Sequence, residues 1–152
     1  MKFMNDIRIT DACAEHIPQL AALERQCFSL PWTEAQLMSQ LPDESHEFIA
    51  ALDEHGHVAG YVGMMFVLDE GYISNVAVSP ERRRCGIGDA LISEMDARAE
   101  KHDLSFVTLE VRESNMPAAA LYAKHGYIPV GTRKDYYQSP RENAILMTKF
   151  LK

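Results

Sequence analysis

The sequence predicts an α/β fold in which helices cover both faces of one mixed sheet. Two observations predict it. First, short polar turns join several segments that are alternating or apolar, as in antiparallel hairpins. Second, segments whose apolar residues recur at helical spacing lie between these strands. The resulting order is one strand, two helices, three strands, a helix, a strand, a helix and two strands. This order differs from the repeating strand–helix unit of an all-parallel sheet.

The first half of the chain is predicted to contain one helix pair and four strands. Residues 6–10 alternate as a strand does, and apolar residues recur at helical spacing over residues 12–28. Thr33 is the expected N-cap of a second helix that ends near residue 41. The next strands are expected at 46–52, 57–68 and 72–79, with turns at 53–56 and 69–71.

The second half is predicted to contain two helices and three strands. A helix is expected from Gly88 to about residue 102, and a strand over residues 105–111. Asn115 is the expected N-cap of a short helix, and Gly126 is expected to end it. The last two strands are expected at 127–137 and 143–150, joined by a turn at 139–141.

The bulk composition predicts one domain, residues 1–152, that lies in the cytoplasm as a monomer or weak homo-oligomer. The hydrophobic share of 47% and the charged share of 24% are ordinary for a globular protein, and the net charge of −7 argues against direct nucleic-acid binding. Residues 1–10 show no signal peptide, and no apolar run approaches the ~18 residues that span a membrane, so no membrane contact is expected. The three cysteines and six histidines show neither disulfide nor metal-ligand spacing, so no metal is expected.

Residues 83–88 are the clearest functional signal in the chain. They stand between a predicted strand and a predicted helix, and Gly86 and Gly88 leave backbone N–H groups uncovered where the helix dipole favours an anion. Arg83 and Arg84 add bidentate donors. We therefore expect a pyrophosphate group here, with a plain structural loop as the alternative. The spacing matches neither a Walker loop nor the dinucleotide-binding fingerprint.

Glu110 interrupts an otherwise apolar predicted strand, where alternation places it on the same face as Thr108. A carboxylate at such a position is costly unless it is paired or used in chemistry. Glu110 is therefore either a catalytic group or one partner of an ion pair, for which Arg112 is a candidate. Tyr122 lies seven residues after Asn115 on one stripe of the predicted helix, where a core aromatic with a satisfied hydroxyl is the plain interpretation.

Several motifs in the same order give the chain a resemblance to the GNAT acetyltransferases. Arg83, Gly86 and Gly88 match that family's pyrophosphate motif, R/Q-x-x-G-x-G/A, at the start of its main helix. Within the family the chain resembles the RimI type, the ribosomal-protein-alanine N-acetyltransferases. The narrower resemblance rests on residues 28–32, 75–78, 109–115, 120–122, 126–127 and 133–137.

The resemblance implies a mostly antiparallel GNAT sheet that is splayed where acetyl-CoA binds. It also implies that Glu110 is the general base of acetyl transfer and that Tyr122 is the general acid. The residues implied to bind acetyl-CoA lie on one strand, on the loop and helix start that follow it, and on a later helix. They are Val76, Ala77, Val78, Arg83, Arg84, Cys85, Gly86, Ile87, Gly88, Asp89 and Asn115.

The resemblance further implies an acceptor that is a protein or peptide N-terminus, with a small-subunit ribosomal protein beginning with alanine as the partner. The acceptor would bind between the loop residues Leu30, Pro31 and Trp32 and the pair Tyr136 and Tyr137. Core packing is the alternative role for Trp32, and a strand aromatic pair is the alternative for the tyrosines. Acetylation of lysine side chains or small amines, and acyl-CoA binding without catalysis, are the alternative functions.

Overall fold

The computed structural model describes residues 6–152, which contain seven strands and four α-helices. The first five residues of the predicted domain, and of the segment searched for a signal peptide, lie outside the described residues. The strands are β1 (Arg8–Asp11), β2 (His46–Leu52), β3 (Val58–Val67), β4 (Glu70–Val78), β5 (Phe106–Arg112), β6 (Ile128–Tyr137) and β7 (Glu142–Phe150). The helices are α1 (Ile17–Cys27), α2 (Glu34–Met38), α3 (Ile87–Lys101) and α4 (Met116–Lys124).

The seven strands form one sheet in the order β1-β2-β3-β4-β5-β7-β6. Every pairing is antiparallel except that of β4 with β5, which is parallel. The parallel pair follows from the connection between these strands, since the chain returns through α3 before it enters β5. The predicted mixed, mostly antiparallel sheet is therefore confirmed.

The helices cover both faces of the sheet, as predicted. On one face α1 and α2 bury a core that includes Leu20, Leu37 and Phe48. On the other face α3 and α4 bury a larger core that includes Leu91 and Met95. Alternation along β2 supplies both cores, because successive side chains of a strand point to opposite faces.

The predicted helix caps are confirmed, although two helices are shorter than expected. The Thr33 hydroxyl accepts from the backbone N–H of Gln36 at 3.2 Å, and the Gln36 side chain accepts from Thr33 N–H at 2.8 Å. The Asn115 side chain accepts from Ala118 N–H at 3.2 Å in the same way. Gly126 takes a φ of 92° just after α4, a conformation that suits glycine at a helix end.

The hairpin between β3 and β4 is tighter than the turn predicted at residues 69–71. Glu70 already pairs within the sheet, and Leu68 takes a left-handed φ of 56° that closes the turn. Gly71 is a strand residue whose small size is required, since a Cβ atom there would lie 2.8 Å from Leu104 Cδ1. The turn therefore lies at residues 68–69 rather than 69–71, and Gly71 serves packing rather than backbone conformation.

Candidate active site

A cleft of about 610 Å³ opens where β4 and β5 separate. Within residues 6–152 the two strands pair with each other only over Glu70 to Tyr72 on β4. Beyond Tyr72, β4 stays paired with β3 and β5 with β7, but β4 and β5 do not pair with each other. The separation begins beside an irregularity in the pairing of β4 with β3, where Ser74 is an extra residue between the paired Ile73 and Asn75. Such a bulge bends its strand and increases its twist. The predicted splay of the sheet is therefore present, with a local cause in β4.

Glu110 projects into this cleft from β5, with only 5% of its side chain exposed. Its Oε1 accepts a hydrogen bond from the Tyr72 hydroxyl, and its Oε2 accepts from Arg133 Nε at 2.7 Å. These two donors compensate for the burial of the carboxylate. Burial and the bond to Glu110 raise the pKa of Tyr72, so this hydroxyl stays protonated and remains the donor.

The ion pair considered for Glu110 from the sequence, with Arg112, is not the one that forms. Arg112 instead contacts Glu142, with Nη1 and Oε1 at 3.1 Å. It also donates to the carbonyl oxygens of Pro140 and Gln138, at 2.9 and 3.0 Å. The guanidinium lies 4.5 Å from the centre of the Tyr137 ring. Arg112 therefore fixes the turn between β6 and β7, and Arg133 is left as the partner of Glu110.

Tyr122 reaches the same cleft from α4 and is only 7% exposed. Its ring packs near that of Tyr127, with centres 6.1 Å apart. Burial raises the pKa of Tyr122, so the hydroxyl is protonated at neutral pH. Tyr122 is thus a core aromatic that also lines the cleft and keeps its hydroxyl proton.

Four of the five predicted acceptor residues line the cleft. Leu30 and Trp32 contribute from the loop between α1 and α2, and Pro31 lies between them in the sequence but is not a lining residue. Tyr136 and Tyr137 contribute from β6, with rings 5.0 Å apart at 84°. Burial raises the pKa of Tyr137 to about 12. The structure therefore brings the two predicted acceptor segments to one cleft.

Glu24 is a site residue that the sequence interpretation missed. It is 1% exposed on α1, and its Oε1 accepts from the backbone N–H of Trp32 at 2.7 Å. Its Oε2 accepts from Asn75 Nδ2 at 2.6 Å and from the Tyr61 hydroxyl. Burial raises the pKa of Glu24 to about 7, although the bond from Trp32 opposes this change. The available signal was its position four residues after Leu20, on the apolar stripe of the helix.

The predicted pyrophosphate loop, residues 83–88, stands beyond the end of β4. Arg84 and Gly86 take left-handed φ values of 64° and 85°, and α3 begins at Ile87, one residue before the predicted start. No side chain in the described part of the chain caps the first turn of α3. Gly88 allows α3 to approach α4, because a Cβ atom there would lie 3.0 Å from Leu121 Cδ2.

Arg83 lies against the end of β4 and connects the loop to the cleft. Its Nε donates to the carbonyl oxygen of Val78 at 3.3 Å, and its Nη2 donates to the Cys27 sulfur at 3.5 Å. Cys27 itself lines the cleft. Burial raises the pKa of the Cys27 thiol, which keeps it in its neutral form.

The remaining residues predicted to bind the coenzyme differ in whether their side chains line the cleft, are buried in the core or are already paired. Val76 and Asn115 line the cleft, whereas the side chain of Ala77 is buried in the core under α1 and α2. The carboxylate of Asp89 is occupied by Lys124 Nζ at 3.0 Å and His125 Nε2 at 2.9 Å. The Cys85 thiol donates to a loop carbonyl, that of Arg83, at 3.7 Å, and Ile87 is buried in the core under α3.

Among the described residues, no group of three or more histidine, cysteine, aspartate and glutamate side chains could hold a metal ion. The same residues contain no helix whose length and apolar character would let it cross a membrane. The three cysteines, Cys13, Cys27 and Cys85, are free thiols.

Comparisons of the sequence and of the fold with known proteins both relate the chain to N-acetyltransferases. The family model described as acetyltransferase (GNAT) family matches residues 17–127. The chain is 32% identical over 149 residues to the ribosomal protein bS18-alanine N-acetyltransferase of Escherichia coli (strain K12), covering 97% of this chain and 96% of that one. It is also 32% identical over 152 residues to the protein of that name in Haemophilus influenzae, covering 97% of this chain and 100% of that one.

Among solved structures, the chain resembles the ribosomal-protein-S18-alanine N-acetyltransferase from Escherichia coli. The TM-score is 0.88 and the identity 30%, over 96% of this chain and 94% of that one. The fold of this chain is therefore the fold that the sequence motifs implied.

Proposed function

The chain belongs to the GNAT acetyltransferase family, and from this membership we propose that it transfers the acetyl group of acetyl-CoA to the α-amino group of a protein N-terminus. The observation that carries the proposal is the meeting of Glu110 and Tyr122 in one cleft, at the point where β4 and β5 separate. A base and an acid on the same cleft are what acyl transfer to an amine requires.

The residues near the cleft fit acetyl-CoA as the donor that GNAT enzymes use. The loop with left-handed Arg84 and Gly86 precedes an α3 helix whose first turn no described side chain caps, so its N–H groups suit the pyrophosphate. Arg83 and Arg84 supply positive charge beside it. The gap between β4 and β5 gives the extended arm of the coenzyme a strand edge to pair with, near Val76. Acetyl-CoA supplies the activated acetyl thioester.

Glu110 acts as the general base that removes a proton from the acceptor amine, directly or through a water molecule. An α-ammonium group has an ordinary pKa of about 7.7–8.0, whereas that of lysine is about 10.4. Removal of the proton at pH 7 therefore costs about 1 kcal/mol for an α-amine and several kcal/mol more for a lysine. A carboxylate that is held by two donors in the cleft is sufficient for the first task.

Tyr122 acts as the general acid that donates its proton to the departing thiolate sulfur. Tyr122 is buried, its hydroxyl is protonated at neutral pH, and the residue lines the same cleft as Glu110. Backbone N–H groups on β4, near Val76, Ala77 and Val78, stabilise the oxyanion that forms when the amine attacks. No covalent enzyme intermediate is needed.

A ribosomal protein with N-terminal alanine is the acceptor that the relatives favour, since their names specify that substrate. The cleft supports a peptide acceptor because it is lined by the 28–32 loop on one side and by Tyr136 and Tyr137 on the other. Activity as a single domain over residues 1–152, as a monomer or weak homo-oligomer in the cytoplasm, stays a prediction.

Incubation with acetyl-CoA and a panel of peptides tests the proposal. The panel includes an alanine-first peptide, the same peptide with a blocked N-terminus and an internal lysine, and polyamines. We expect an acetyl group on the α-nitrogen of the alanine-first peptide, located by fragmentation in a mass spectrometer. Acetylation of only lysine or polyamines would contradict the proposed acceptor, and CoA binding without any transfer would contradict the proposed activity.

A further inference from the structure

Arg133 occupies one of the two oxygens of Glu110, the carboxylate that is proposed to take the proton of the amine. Tyr72 donates to Oε1 of Glu110, and Arg133 Nε donates to Oε2 at 2.7 Å. A general base must come within hydrogen-bond reach of the proton that it removes. Because Oε1 already accepts from the half-buried Tyr72, the acceptor ammonium reaches the carboxylate most directly at the oxygen that Arg133 holds.

The environment of Arg133 allows its side chain to move away from the Glu110 carboxylate. Its side chain is 54% exposed, whereas that of Glu110 is 5% exposed. Its guanidinium carbon lies 5.9 Å from the centre of the Tyr136 ring, which offers a nearby cation–π position. The contrast with Arg112 is clear, because Arg112 is held by a carboxylate and two backbone carbonyls and stacks on Tyr137.

We propose that Arg133 occupies the position of the acceptor's α-ammonium group on Glu110 and is displaced when the acceptor binds. Arg133 is then a specificity-determining residue. It pairs with the buried Glu110 carboxylate in the free enzyme, and a competing cation on the acceptor replaces it there. An acceptor that lacks a positive charge at its N-terminus gains nothing from displacing it. This inference rests on the proposed function, because it requires an amine acceptor that approaches Glu110.

Paired binding measurements isolate this competition. Enzyme saturated with CoA, which cannot transfer acetyl, is titrated with an alanine-first peptide and with its Nα-acetylated form. We expect Arg133→Gln to raise the affinity for the free-amine peptide relative to the acetylated peptide by about fivefold, the effect of removing one partly exposed ion pair. Arg133→Lys keeps the positive charge, so we expect it to restore the wild-type ratio.

Lys134→Gln is the matched control, because it removes the same charge from the adjacent, exposed position of β6. We expect this variant to leave the ratio of the two peptide affinities unchanged. CoA affinity, measured for each variant, checks that the fold and the proposed coenzyme site are intact. An Arg133 that merely binds peptide would weaken both peptides equally when it is removed.

The results distinguish failure of this inference from failure of the proposed function. An unchanged ratio in Arg133→Gln, or an equal loss for both peptides, overturns the role of Arg133 while the wild-type enzyme still acetylates the peptide N-terminus. A wild-type enzyme that binds neither peptide and acetylates no N-terminus overturns the proposed function, and this inference with it. If Arg133→Gln alone favours the free-amine peptide over the acetylated peptide more than the wild-type enzyme does, the result supports both the role of Arg133 and the proposed function.

Discussion

The proposed coenzyme half and the proposed acceptor half of the site differ in how the chain forms them. The coenzyme half is a contiguous stretch, the end of β4, the 83–88 loop and the start of α3, and its main features are backbone conformation and small residues. The acceptor half depends on side chains that meet from distant parts of the chain, such as Glu24 with Asn75 and Glu110 with Arg133. A local motif can therefore reveal the first half, whereas only the folded chain reveals the second.

The largest expected effect is that of Glu110→Gln, which tests whether the chemistry belongs to the acceptor half. The amide keeps the size of the side chain but cannot accept a proton from the amine, so we expect kcat to fall about 1000-fold. Acetyl-CoA affinity should stay at its wild-type value. Steady-state kinetics and coenzyme titration measure the two, and Glu113→Gln on the exposed segment after β5 is the charge-matched control. Wild-type turnover in Glu110→Gln would remove Glu110 from the mechanism.

The next effect is that of Tyr122→Phe, which removes the proposed proton donor while leaving the ring that packs beside Tyr127. We expect kcat to fall about 100-fold with little change in the affinity for acetyl-CoA. A thiol-release assay at saturating substrates measures this. Loss of coenzyme binding together with kcat would instead mark Tyr122 as a packing residue of the coenzyme half.

A third effect concerns stability, and it depends on Glu24 beneath the acceptor loop. Its pKa is raised from 4.5 to about 7, so between these pH values the folded chain binds more protons than the unfolded chain. The stability that this group contributes is therefore present at low pH and lost as the pH rises towards 7. From pH 5 to pH 8 we expect the free energy of unfolding to fall by about 2 kcal/mol because of Glu24.

Denaturant unfolding of the wild-type protein and of Glu24→Gln across that pH range measures the contribution. The amide does not titrate, so the variant should lack the decline that is due to this group. The same decline in both proteins would show that other groups cause it. The variant should also raise the KM for the acceptor more than the KM for acetyl-CoA, since Glu24 holds Trp32 rather than the coenzyme loop.

The smallest effect is expected in the coenzyme half. Replacement of both Arg83 and Arg84 by alanine should weaken acetyl-CoA binding about tenfold, the contribution of a charge-assisted hydrogen bond, while kcat at saturating coenzyme is retained. Calorimetric titration measures the affinity, with Arg141→Ala on the β6–β7 turn as the control. Unchanged affinity would contradict the assignment of the pyrophosphate to this loop.

The sequence predicted the fold and the elements of the cleft because their signals are local. The glycines of the 83–88 loop, the caps at Thr33 and Asn115, and the lone carboxylate of the β5 strand can each be recognised within a few residues. Alternation also placed Glu110 on the correct face of its strand.

The partners of these residues could not be predicted in the same way. Arg112 and Arg133 are equivalent by charge, and only the turn between β6 and β7 directs the first to Glu142 and leaves the second for Glu110. The bulge at Ser74 depends on the register of β3 against β4, which the alternation of side chains does not encode. These contacts depend on which strands the sheet brings together, and the order of residues along the chain does not specify that.

A crystal structure with a covalent conjugate of CoA and an alanine-first peptide tests the central claim most directly. The account predicts the pyrophosphate on the backbone N–H groups of the 83–88 loop and the coenzyme arm beside the free edge of β4. It also predicts the alanine nitrogen beside the Glu110 carboxylate, at direct or water-bridged hydrogen-bond distance, with the peptide between Trp32 and Tyr136. A conjugate whose pyrophosphate lies elsewhere, or whose alanine nitrogen lies far from Glu110, would contradict it.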